Sequence, residues 1–75
     1  NATVIRIDNN DGYRPFTVEV FSEDGGLVRV AHVPAGVAAF TWDGRNHSGA
    51  EVNSGVYFVR VKTGTGKTVR KVIKL

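Results

Sequence analysis

Apolar residues fall at every second position through most of this chain, and no window repeats at the 3.6-residue spacing of an amphipathic helix. That period predicts strands throughout. Thr3 to Ile7 sets Ile5 and Ile7 against Arg6, then meets Asp8-Asn9-Asn10-Asp11-Gly12, a cluster of turn formers. Phe16 to Phe21 follows, with Phe16, Val18 and Val20 on one face and Thr17 and Glu19 on the other. Pro15, which cannot donate a ladder hydrogen bond, suits the position just before a strand. Glu23-Asp24-Gly25-Gly26 turns the chain into Leu27 to Val33, where Val28 and Val30 are expected to face in and Arg29 out, so residues 16–33 read as a hairpin.

After Pro34-Ala35-Gly36, the run Val37 to Trp42 puts Phe40 and Trp42 on one face, and a polar loop spans Asp43 to Ser54. Gly55 to Lys62 opposes Tyr57, Val59 and Val61 to Phe58, Arg60 and Lys62, with the side taken by Phe58 left open. Thr63-Gly64-Thr65-Gly66 turns the chain into the closing run Lys67 to Leu75. Short strands with turn signals about every eight to twelve residues predict an all-β antiparallel sandwich or barrel, not a βαβ fold.

Composition agrees: 41% of the 75 residues are apolar, chiefly β-branched and aromatic, and nine glycines against two prolines supply turns. One domain is the most that this length supports, without repeats or linkers. A chain so short hides only about 60% of its unfolded surface, and with no cysteine it must hold by packing alone. No apolar run approaches the roughly 20 residues that cross a bilayer as a helix, so membrane insertion is not expected. Asn1-Ala2-Thr3 leads straight into a strand, which reads as the start of a processed or excised fragment.

The net charge of +3 is carried disproportionately by Lys62, Lys67, Arg70, Lys71 and Lys74 near the end of the chain. Lysines on strands commonly keep an edge soluble. These alternate with apolar residues and no aromatic platform interleaves with them, so nucleic acid is not an expected partner.

Catalysis needs a nucleophile or metal, a tuned acid or base and a dry pocket, and the sequence offers none of these together. His32 at a strand end and His47 in a polar loop read as solvated histidines. Gly64-Thr65-Gly66-Lys67-Thr68 lacks the first Walker glycine and joins two strands, which makes it a hairpin turn and not a phosphate cradle. Asp8, Asn10 and Glu19 mimic positions 1, 3 and 12 of an EF-hand, but position 6 is Tyr13 where glycine is required. Asp8 and Asp11 remain candidates for a looser surface calcium site. No cofactor is expected, and the chain reads as a non-enzyme.

The stretch Trp42-Asp43-Gly44-Arg45, then Gly49, Val52, Ser54-Gly55, Tyr57 and Arg60-Val61, resembles the signature of the FlgD-like immunoglobulin-type domains. Val18 to Arg29 is similar to that family's strand-turn-strand, with Phe21, Ser22 and Gly26 where Tyr, Asp and Arg are usual. The resemblance implies an immunoglobulin-like antiparallel β-sandwich of about six to seven short strands, a single domain over residues 1–75. It also implies a non-catalytic C-terminal module of a secreted or cell-surface bacterial protein, with protein partners, acting in export sorting, attachment or spacing.

Within the signature, a structural role is expected for Trp42, Asp43, Gly44, Gly49, Gly55 and Tyr57. Asp43 would form an Asx-turn, Gly49 would let the loop reverse, and Gly55 would admit close backbone approach. The tail Arg70-Lys71-Val72-Ile73-Lys74-Leu75 is similar to the final strand of the related type IX secretion sorting domains, which makes it a candidate sorting strand read by export machinery. A structural hook-capping or spacer domain is the first alternative. A carbohydrate-binding module is the second, and it would need an exposed aromatic strip drawn from Trp42, Tyr57, Phe58 and Tyr13.

Overall fold

A computed structural model describes residues 5–8, 14–37, 39–64 and 66–75. Six strands occur among them: β1 (Ile5–Asp8), β2 (Phe16–Ser22), β3 (Leu27–Val33), β4 (Ala39–Trp42), β5 (Gly55–Thr63) and β6 (Gly66–Lys74). They form two antiparallel sheets, a two-stranded one of β1 and β4 and a four-stranded one in the order β3-β2-β5-β6. The sheets face each other across one core. The small sheet contributes Ile7 and Trp42, and the large sheet Phe16, Val18, Val20, Val33, Tyr57 and Val59. Alternation along β2 explains its half of the contact, since its first, third and fifth residues are buried and those between are half-buried. The fold is all-β, as the period of two predicted, and immunoglobulin-like, as the resemblance implied.

The turn after β2 is closed by Gly25 N–H on Ser22 O at 2.9 Å and Ser22 N–H on Gly26 O at 2.8 Å. The Asp24 carboxylate accepts the Ser22 hydroxyl and, at 3.1 Å, the Gly26 N–H. Both bonds favour its charged form, the hydroxyl most, and hold the carboxyl below its ordinary value.

β3 departs from the expected facing. The ladder puts Arg29 opposite Val20 but Leu27 opposite Phe21, so Val28 is an extra residue in a β-bulge. Val28 packs on the core as expected, whereas Val30 pairs with outward-facing Glu19 and Ala31 lines the core in its place. Arg29, expected to point outward, lies on the inner side, where its guanidinium comes 4.0 Å from Asp43. β4 also starts later than expected, because Val37 belongs to a turn in which its N–H reaches Pro34 O at 3.3 Å.

The outer face of the large sheet is solvated but not wholly polar. Phe58 pairs with Phe21 there, which settles its side, and Arg60 pairs with Glu19. Arg60 Nε donates to Glu19 Oε1 at 2.7 Å, and its guanidinium carbon sits 5.2 Å from the centre of the Phe21 ring. Two strands cannot cover four. The inward residues Thr68 and Arg70 of β6 accordingly stay exposed, while Val72 and Lys74, further along the same face, are half-buried and buried.

Candidate functional site

The segment between β4 and β5 is a folded hairpin. Its start is set by Asp43, whose Oδ1 accepts the Arg45 N–H at 3.1 Å in an Asx-turn. Gly44 occupies φ +80°, a backbone region that a side chain disfavours. Val52 N–H then returns to Gly44 O at 2.9 Å, Arg45 and Glu51 form a β-bridge, and Asn46 N–H meets Ala50 O at 2.9 Å. The Asn46 side chain holds the tip, accepting from Ser48 N–H at 2.9 Å and Ala50 N–H at 3.1 Å. Gly49 reverses the chain at φ +83°, and its carbonyl accepts Arg45 Nη1 at 2.7 Å.

Two rings fasten this hairpin to the core. Trp42, 0% exposed, donates its indole N–H to Arg45 O at 3.0 Å. Tyr57, at the start of β5, donates its hydroxyl to Asn53 O at 2.7 Å, the arrangement of a tyrosine corner. The rings meet edge to face with centroids 5.4 Å apart and planes at 63°. Gly55 stands at φ +149°, a region kept for glycine, yet nothing lies within 4 Å of where its Cβ would be. The expected close approach is therefore corrected: backbone conformation requires this glycine.

A third attachment has no counterpart in the sequence reading. His47 N–H donates to Val28 O at 3.2 Å, and Val30 N–H donates to His47 Nε2 at 2.9 Å. One residue thus occupies a donor and an acceptor on the free side of β3. His47 is exposed but bound. No local signal marks it, because Val30 is seventeen residues away and the bulge that presents both groups exists only in the paired sheet. The ion pairs of Asp43 with Arg29 at 4.0 Å and Arg45 at 3.9 Å are largely solvated and add little.

Asp43, Asn46, the Arg45 guanidinium and the Trp42 and Tyr57 polar tips all bond backbone groups of this segment. Among the described residues no group of three or more His, Asp or Glu could hold a metal ion. Asp11 and the Asp8 side chain, the calcium candidates, lie outside what is described, as does Tyr13. Among the described residues one depression of about 330 Å³ lies beside Asp24 and Tyr57, and a second of about 360 Å³ beside His32 and Lys62. In the second, Thr17 Oγ1 lies 3.3 Å from His32 Nδ1, a cross-strand contact open to water. With Trp42 and Tyr57 both in the core, neither ring is free to stack on a sugar.

The family model of the FlgD Ig-like domain matches residues 3–70. This chain belongs to that family. No curated protein and no solved structure matches it. In this FlgD Ig-like domain the signature residues Trp42 to Tyr57 build and pin the hairpin. The candidate sorting residues form the end of β6 and the residue after it: Arg70, Lys71, Ile73 and Leu75 are exposed, Val72 is half-buried and Lys74 buried.

Proposed function

We propose that this FlgD Ig-like domain is a non-catalytic module of a larger secreted or cell-surface bacterial protein, working through protein contacts in export sorting, attachment or spacing. The observation that carries this reading is how its signature spends its chemistry. Asp43, the Trp42 indole, the Tyr57 hydroxyl and the Asn46 amide all bond backbone groups of one hairpin. Groups so engaged shape a surface and are not poised for acid–base or nucleophilic work.

Sorting is the most specific form of the proposal, and it rests on the likeness of Arg70 to Leu75 to a type IX tail. The test is deletion of Lys71 to Leu75 from the full-length parent in a bacterium with that export route. Cargo held in the periplasm is the expected result. Normal export of the deletion removes sorting and leaves attachment or spacing.

A further inference from the structure

The two edges of the four-stranded sheet are finished differently. At β3 the hairpin caps the free side through His47, which engages Val28 O and Val30 N–H. At β6 the only pairing among the described residues is with β5, over nine register pairs from Gly55↔Lys74 to Thr63↔Gly66. The nine residues of β6 contain no proline and no acid, and four are Lys or Arg. An open edge of this length offers a row of backbone donors and acceptors to another strand.

The side chains indicate which strand fits. On the outer face β6 presents Lys67, Val69, Lys71 and Ile73 in alternation, opposite Lys62, Arg60, Phe58 and Val56. Val69 and Ile73 are each 60% exposed, although both lie beside a paired strand. Lys67 faces Lys62, a like-charge cross-strand pair that is unfavourable as it stands. Neither Lys67 nor Lys71 forms an ion pair among the described residues. A second copy of β6 would set these cations near each other, so the edge resists self-pairing. An acidic strand meets no such resistance.

We propose that the free edge of β6 takes up an extended partner segment whose outer-face residues, every second one along it, are alternately acidic and apolar. Backbone pairing supplies the attachment, carboxylates answer Lys67 and Lys71, and apolar side chains cover Val69 and Ile73. This rests on the module reading above and gives the chemistry of its partner, while its test is independent of export.

The test uses the 75-residue chain, labelled with nitrogen-15, and two synthetic nine-residue peptides, one repeating Glu-Ser-Val-Ser and the other Lys-Ser-Val-Ser, so that the charged and apolar side chains share one face. The acidic peptide should shift and protect from exchange the amides of residues 66–74, more weakly as salt is raised. The basic peptide should leave them unchanged. Lys67→Glu with Lys71→Glu, both exposed positions, should weaken the acidic peptide about tenfold and admit the basic one. Val69→Ser with Ile73→Ser should weaken the acidic peptide without admitting the basic one. The proposal is overturned if the acidic peptide leaves the β6 amides unmoved, if both peptides bind alike, or if sedimentation shows the chain associating with itself through β6. Normal export of the parent lacking Lys71 to Leu75, with peptide binding by the 75-residue chain intact, would instead count against sorting alone.

Discussion

Gly55 separates two reasons for a glycine. Space is open around it, so its φ of +149° alone excludes other residues. Gly55→Ala should therefore destabilise the domain by roughly 1–3 kcal/mol through backbone strain, with no clash to relieve. Urea unfolding measures the loss, and an unchanged midpoint would show that β5 can begin from an ordinary conformation. Trp42, Asp43 and Tyr57 were legible as structural residues because spacing and chemical type suffice to suggest an Asx-turn and core rings with polar tips. His47 was not, since its acceptor role is defined by a strand far away in sequence. Replacing it tests that role: His47→Ala should accelerate hydrogen exchange at the Val30 amide while leaving amides in the middle of β5 protected. Equal protection at Val30 in both proteins would mean that the capping bond is not kept in solution.

Among strands, alternation located every described element to within a few residues, because burial on one face of a sheet writes its period directly into the sequence. Among the described residues, facing failed on β3. A bulge is a relation between two strands, and nothing within Leu27–Val33 says that Val28 will be the residue left over opposite Val20. Phe58 was ambiguous for a similar reason, as its outward position becomes reasonable only once Phe21 is its neighbour and Arg60 covers that ring.

The Glu19–Arg60 link between β2 and β5 has a pH signature. The Arg60 hydrogen bond, and then the guanidinium charge, hold the Glu19 carboxyl below its ordinary 4.5 against the opposing effect of burial. Glu19 raises Arg60 in return. The unfolded chain then takes up a proton at Glu19 at higher pH than the folded one. The stabilisation is thus complete above about 4.5 and disappears as pH falls through the folded value. Glu19→Gln should flatten the decline of Tm between about pH 5 and pH 3. An unaltered slope would assign that decline to other carboxylates, Asp24 among them.

Among the described residues the layers are unequal, four strands against two, and marginal size makes each core ring count. Its strand order carries a mechanical consequence. Ile5 pairs with Trp42 and Lys74 with Gly55, so β1 begins and β6 finishes at the pole that bears the hairpin, but in different sheets. Tension applied through Ile5 and Lys74 would open each ladder rung by rung from that pole instead of loading all rungs at once. The four-pair β1–β4 ladder should yield first. Optical-tweezer pulling through those two positions should give a lower rupture force than pulling through Ile5 and Gly66, and the reverse order would contradict the geometry. A body gripped in this manner adds little reach along the line of pull, because both grips lie at one pole.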